Sequence, residues 1–251
     1  MIGNVSVASL GIPNVIPPFN PNSISGLKYW YDANDGSTIT SSGGRVSALA
    51  NKATGITLTL LQATSGKQPL IVASAQGGKQ VLQFTNARAD QLYLATSPMS
   101  GATAHSTFLA YKSTSSTTGY KFAFGNDSGA GTSPLFYQLS SHNYYETSSG
   151  GSSTQGTNNI VNVANIMAIT QSSGSSPILK TYTGGTAAET ITGTAGSLTV
   201  GTAGAGSFLG QGLGGAAPTD FNFCEVLTYN NVLSAGDQAA VVAYLTAKWG
   251  I

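Results

Sequence analysis

The sequence predicts an all-β fold: a two-sheet antiparallel sandwich of the jelly-roll type with one short C-terminal helix. Three observations carry this expectation. Short apolar runs alternate with Gly/Ser/Thr/Asn-rich turns from Leu27 onward, the pattern of strands rather than helices. A helical period occurs in one stretch, after Ser234. No shift of composition marks a boundary within residues 27–251, so a single large sandwich accounts for them.

Residues 1–25 stand apart. They carry no charge, and Ile2, Val5, Val7, Leu10, Ile12, Val15, Ile16 and Phe19 are spread among Pro13, Pro17, Pro18 and Pro21. Prolines fix φ and remove amide donors, which excludes a helix and favours extended or polyproline conformation. Disordered tails are ordinarily charged and poor in large apolar side chains. The segment therefore reads as an extended arm whose Ile2, Val5, Val7, Leu10, Ile12 and Phe19 dock on a partner subunit; the plainer alternative is a first strand with a linker.

Residues 26–251 form the domain. Leu27–Tyr31, Ile56–Leu61, Lys79–Thr85, Gln91–Leu94 and Thr107–Lys112 are its first expected strands. Tyr120, Phe122 and Phe124 alternate with Lys121 and Ala123, as in a strand with one buried and one wet face. Pro134–Leu139, Ile160–Thr170, Ile178–Tyr182, Leu198–Val200 and Phe221–Tyr229 follow, about a dozen strands in all. Gly/Ser stretches at 113–119, 148–157, 172–176 and 201–216 read as surface loops.

The helix begins at Ser234, an N-cap with Asp237 completing a capping box. Val241, Val242, Leu245 and Trp249 make one apolar stripe, and Gly250 stops the helix. So short a helix is marginal alone in water. Burying those four side chains contributes roughly 6–12 kcal/mol gross, so the helix must dock on the β body.

Composition excludes several functions. Hydrophobic residues make up 41% of the 251 and charged residues 8%, against roughly 25% charged in ordinary soluble domains. The polar surface is thus hydroxyl- and amide-rich. A net charge of +1 with only Arg45 and Arg88 as arginines offers no basic patch for nucleic acid. Cys224 is the sole cysteine, which excludes an internal disulfide and reads as a small buried hydrophobe. No run is long enough to span a membrane. The first residues lack a basic region followed by a continuous apolar run, so no secretory signal is expected. Synthesis in a reducing cytoplasm together with an extracellular type of surface fits a virion protein assembled before lysis.

The two ends together resemble a known family. Leu27, Trp30, Asp32, Ala33 and Asp35 within Gly26–Thr40 match the Leu-x-x-Trp-x-Asp-Ala-x-Asp opening of concanavalin A-like, laminin-G-like jelly-roll domains of phage and bacterial surface proteins. Val46 and Asn51-Lys52 stand where the family carries a further Val…Trp-x-Asp-Lys segment, here without its tryptophan. Gln62-Ala63-Thr64, Gln68-Pro69 and Lys79–Phe84 follow the family's progression. The closing Glu225–Asn230, Leu233-Ser234 and Lys248-Trp249-Gly250 resemble its end. The resemblance covers residues 26–251, is clearest at both ends, and implies a lectin-like jelly roll. That fold hosts lectins, hydrolases and virion proteins, so function must come from the site.

Related glycosidases work with paired carboxylates, in laminarinase-like members spaced Glu-x-Asp-x-x-Glu. Glu146, Glu189 and Glu225 are the only glutamates and none has that spacing; Glu225 reads as a paired, structural carboxylate of the last strand. Ser128 and His105 only faintly echo a nucleophile and its base, and turn chemistry explains Ser128. Gly210, Gly212 and Gly215 form Gly-x-Gly-x-x-Gly but lead into a strand, not the helix that a dinucleotide site needs. Asp32 and Asp35 are candidate calcium ligands, against the simpler reading of an Asx-rich turn; otherwise no cofactor is expected. His105 and His142 lack partners at zinc-ligand spacing. His142, Asn143, Tyr144 and Tyr145 form the candidate glycan site, since tyrosine combines a stacking face with a hydroxyl. In a strand Tyr144 and Tyr145 must face opposite ways, so one stacks and the other is core.

The expected function is a non-enzymatic phage virion protein: a capsid decoration, head fibre or tail-associated component. Capsid or tail proteins are its expected partners, host glycans its weak ligands, and a homo-oligomer or larger assembly its state. The alternative is a free-standing carbohydrate-binding or adhesion module.

Overall fold

The computed structural model describes residues 19–125, 134–147, 152–201, 206–210 and 219–251. Its strands are β1 (Leu27–Asp32), β2 (Ile39–Ser42), β3 (Arg45–Ala50), β4 (Thr59–Leu61), β5 (Leu70–Gln76), β6 (Lys79–Phe84), β7 (Leu92–Leu94), β8 (Ala104–Ser113) and β9 (Gly119–Gly125). There follow β10 (Pro134–Leu139), β11 (His142–Thr147), β12 (Ser153–Gln155), β13 (Ala164–Ser172), β14 (Ile178–Thr183), β15 (Thr186–Thr192), β16 (Gly206–Leu209), β17 (Phe221–Tyr229) and one helix, α1 (Ala235–Trp249).

One sheet runs β1-β17-β8-β13-β14-β15. The facing sheet runs β12-β11-β10-β9-β16-β7-β4-β3-β2. All these pairings are antiparallel. The β5–β6 hairpin joins the sheets, because β6 pairs with β17 and β5 touches β3 at Arg45↔Leu70. The strands therefore form one continuous, nearly closed network, an antiparallel jelly roll.

Alternation sets the core. Tyr29 and Tyr31 of β1 point inward, and the Tyr29 ring meets Phe122 and Phe124 of the opposite sheet at 5.6 and 5.7 Å. Toward β11 and β13 the space between the sheets is polar. His105 Nε2 bonds the Tyr145 hydroxyl at 2.9 Å, the Tyr145 hydroxyl donates to Gln171, and Asn143 Nδ2 donates to Thr181 Oγ1 at 2.9 Å. Burial lowers the His105 imidazole to about 3, so it stays neutral. Burial likewise pushes the Cys224 thiol up, leaving an inert small hydrophobe.

The structure differs from the sequence expectation at definite points. β2, β3, β5, β12 and β15 were hidden by their Ser, Thr and Ala content. Residues 201–216 do not form only a loop, since β16 lies buried between β7 and β9. Leu198 and Val200 are buried but not in a strand; Val200 exchanges backbone bonds of 2.9 and 2.8 Å with Ala102 and Gly101. In β9 the expected alternation fails at a bulge. Opposite β10 the register slips between Phe136↔Phe122 and Tyr137↔Tyr120. A bulge resets the facing of every residue before it. Lys121 consequently turns inward, bonded to Gln138 Oε1 at 3.0 Å with the Tyr111 ring 4.9 Å away. Burial lowers its ammonium to about 7, and Tyr120 lands on the outer face.

Helix α1 covers the outer side of the first sheet with Val241, Val242, Leu245 and Trp249 buried. Ser234 Oγ accepts the Asp237 amide at 3.1 Å, and Gly250 takes φ +65 at the C-cap, where only glycine is unstrained. Gly77, at φ +55 in the β5–β6 turn, lies so close to the Trp249 carbonyl that a Cβ would come within 2.6 Å. Beneath the helix lies Glu225, fully buried. Its Oε1 accepts from Trp30 Nε1 at 2.6 Å and from the Tyr244 hydroxyl at 2.8 Å. Its Oε2 accepts from Trp249 Nε1 at 2.8 Å and from Lys248 Nζ at 2.7 Å. Lys248 also reaches Asp32 at 2.7 Å, and Lys52 binds Asp32 and Asp35 at 2.9 and 2.7 Å. Burial, with Asp32 beside it, raises the Glu225 carboxyl, and Lys248 opposes that rise.

Lys248→Met strands the Glu225 charge and should cost about 3–5 kcal/mol in urea unfolding, whereas Lys248→Met with Glu225→Leu should recover part of it; a single-variant loss below about 1 kcal/mol contradicts the network. For His105, the unfolded chain binds a proton between about pH 6.5 and pH 3 that the folded chain refuses, so its contribution falls as pH falls. His105→Gln should therefore flatten the acid limb, shifting the wild-type-minus-variant stability by about 2 kcal/mol between about pH 7 and pH 4.5. Parallel pH profiles would count against it.

Candidate functional site

The outer face of β9–β12 gathers the groups best suited to a ligand. β10 and β11 are joined by the two-residue turn Ser140-Ser141, with Ser140 at φ +55. The turn sets Leu139 opposite His142 and Tyr137 opposite Tyr144. Across the next strands Tyr137 pairs with Tyr120, and Tyr144 with Gln155. Four neighbouring strands thus present Tyr120, Tyr137, Tyr144 and Gln155 as one row. Ring centroids are 5.1 Å apart for Tyr120–Tyr137 and 4.6 Å for Tyr137–Tyr144.

His142 and Glu146 share this face, one step to either side of Tyr144 along β11. Glu146 is half-buried and hydrogen-bonded to Tyr137; burial raises its carboxyl, and the Tyr137 bond opposes the rise. The Tyr137 hydroxyl is held protonated, by burial first and by the Glu146 charge second. His142 Nδ1 is buried with no hydrogen-bond partner among the described residues.

Beside Tyr144 the face falls into a shallow polar cleft of about 390 Å³, lined by Ser153–Gln155 of β12 and Ile191–Thr194 at the end of β15. The Thr194 amide donates to the Ser153 carbonyl at 2.9 Å and fixes its floor. Glu189 braces the adjoining loop, accepting from the Thr157 and Asn158 amides at 2.7 and 3.2 Å and from Thr181 Oγ1 at 2.7 Å. A larger groove of about 490 Å³ lies between α1 and β14–β15. Its walls are mostly apolar, with Ala239, Val242, Ala243 and Tyr182 among them, and Lys180, Gln238 and Thr246 are its polar lining.

The four residues expected to meet a glycan divide by alternation. His142 and Tyr144 face outward. Asn143 and Tyr145 are sealed between the sheets, Asn143 against Tyr111, Asn165 and Thr181, and Tyr145 against His105 and Gln171. They therefore leave the ligand-facing set and act as core. Tyr137 and Gln155 were missed, as was the outward facing of Tyr120. Tyr137 was legible in the alternation of Pro134–Leu139, whereas the bulge at Lys121 concealed Tyr120.

Asp32 and Asp35 are not free for calcium. Lys52 and Lys248 ammonium groups already occupy the position of a cation. Asp32 Oδ1 accepts the Asn34 amide at 3.0 Å, and Asp35 Oδ1 accepts the Ser37 amide at 3.1 Å, closing Asx turns. The Lys52 bond holds the Asp35 carboxyl down at about 2. Among the described residues no three His, Cys, Asp or Glu side chains are grouped to hold a metal.

Ile2, Val5, Val7, Leu10 and Ile12 lie outside the described residues, as do Ser128, Gly212 and Gly215. Phe19 corrects the expected arm, because it packs on its own domain with its ring 5.6 Å from that of Tyr244. The Tyr229 hydroxyl likewise donates to the Pro21 carbonyl at 3.3 Å.

No protein-family model and no curated protein matches the sequence. Solved structures do match. An arabinofuranosidase in complex with arabinofuranosyl-α-1,2-xylobiose has a TM-score of 0.59 at 12% identity, covering 90% of this chain and 60% of its own. An α-L-arabinofuranosidase soaked with a cyclic sulfate inhibitor gives 0.59 at 12%, covering 91% and 60%. The binding domain of Paraclostridial mosquitocidal protein 1 gives 0.58 at 8%, covering 90% and 52%. The chain thus spans between about half and three fifths of the proteins it matches, and at these identities the likeness is one of fold. The protein is an all-β antiparallel jelly roll with one C-terminal helix.

Proposed function

We propose that this protein is a non-catalytic carbohydrate-binding and adhesion module of the concanavalin A-like kind, taking a glycan on the outer face of β9–β12. The in-register row of Tyr120, Tyr137 and Tyr144 beside a hydroxyl-lined cleft carries this reading. A sugar ring has an apolar C–H face and a rim of hydroxyls. A tyrosine face supplies the matching apolar area and polar edge, and Ser153, Gln155, Thr192 and Thr194 supply hydrogen bonds. The similar folds of an arabinofuranosidase in complex with arabinofuranosyl-α-1,2-xylobiose and of a mosquitocidal protein's binding domain support the same reading.

Absence of turnover belongs to the proposal. Glycoside hydrolysis takes two carboxyl groups flanking one bond. Glu146 is the single carboxylate on the described part of this face, Glu225 is locked under α1, and Glu189 braces a loop. The uncharged residues 1–18 favour mounting of the module on a phage capsid or tail protein, as the arm was expected to do.

A glycan array followed by calorimetry on the full chain tests the reading. Tyr144→Ala and Tyr137→Ala should each weaken a neutral oligosaccharide hit by about tenfold, while Tyr93→Ala, at an exposed tyrosine outside this row, should not. Binding that survives both substitutions, or no binding to any glycan, refutes it.

A further inference from the structure

The tyrosine row has a direction and the face has a charge, and together they specify a ligand class. We infer that the face takes a neutral oligosaccharide laid across the strands, and that Glu146 is the residue that turns acidic sugars away. The inference rests on the glycan reading above and adds its selectivity.

The direction follows from register. Tyr120, Tyr137, Tyr144 and Gln155 sit on four consecutive strands, so the row advances by one strand spacing, about 4.8 Å, at each step. That step is close to the length of one pyranose unit. A chain of sugars crossing the strands meets one tyrosine per unit and ends in the Ser153–Thr194 cleft. A chain running along the strands meets Tyr144 flanked only by His142 and Glu146.

The selectivity follows from the ionisable groups. Recognition of a carboxylate sugar ordinarily uses arginine, lysine or converging amides. On the described residues of β9–β12 the one cationic side chain, Lys121, is turned inward by the bulge and buried against Gln138. His142 and Glu146 are the titratable groups left beside the row. Glu146 is half-buried beside the Tyr137 hydroxyl, so its field is less screened than that of an exposed carboxylate. Its oxygens accept hydrogen bonds from sugar hydroxyls, and charge-assisted bonds of this kind are strong. The same charge repels an anionic sugar seated on Tyr144.

Two matched pairs test this by calorimetry at low salt: xylotetraose against a glucuronic acid-substituted xylotriose, and lacto-N-neotetraose against its sialylated form. For any pair that binds, the neutral member should be tighter by at least about tenfold. Glu146→Gln should weaken the neutral member severalfold and shrink the neutral-to-acidic ratio to about threefold or less. In the wild type, added salt should raise binding of the acidic member relative to the neutral one, a readout that needs no variant. Equal or tighter binding of the acidic member, or a ratio unmoved by both Glu146→Gln and salt, overturns the inference while leaving glycan binding standing. Binding of no member, with the array also blank, overturns the glycan reading itself and the inference with it.

Discussion

Glu225, on β17, is a carboxylate removed from water and compensated by four donors drawn from two other parts of the chain: Trp30 in β1, and Tyr244, Lys248 and Trp249 in α1. An isolated charge in that position would be prohibitively costly, and a paired one is tolerated only with good geometry and full hydrogen bonding. The site therefore favours one relative placement of β1, β17 and α1. Lys248 extends it to Asp32, and Lys52 extends it to Asp35, so charges alternate along a short chain from core to surface. Apolar burial of the helix stripe supplies gross stabilisation, but a greasy contact is non-directional. The carboxylate gives the seam its register.

This seam lies on the far side of the first sheet from the tyrosine face. The two are connected through the polar layer between the sheets. Tyr145, two residues after Asn143 on β11, reaches His105 of β8, and Asn143 reaches Asn165 and Thr181 of β13 and β14. Buried polar groups left unpaired are costly, so these bonds fix how β11 sits over the first sheet. With β11 fixed, Tyr144 and Glu146 are fixed on its outer side. A neutral buried His105 belongs to that layer, which is why acid should loosen it.

The resemblance carried by Leu27–Asp35 and Glu225–Gly250 now has a physical content: its tryptophans, acids and lysine are the members of one buried cluster. The same cluster removes Asp32 and Asp35 from metal binding, since lysines hold both. The glycan segment 142–145 was half legible. Alternation alone separates Tyr144 from Tyr145, but only contact with Thr181, Asn165 and Gln171 shows which of the two faces is core.

By itself the sequence determined the β body, both strands that bound it, and the helix with its N-cap, stripe and glycine stop, because these rest on local periodicity and capping chemistry; the structural reading of Glu225 came from the missing spacing of a second carboxylate. Strands rich in Ser, Thr and Ala, such as β12 and β15, carry too little periodic signal to be read that way. Only the tertiary structure decided the ligand-facing surface. A bulge at Lys121 reversed the facing of Tyr120, and register between strands distant in sequence aligned it with Tyr137, Tyr144 and Gln155. Register is a property of pairs of strands, held by buried bonds between the sheets, and no single segment contains it.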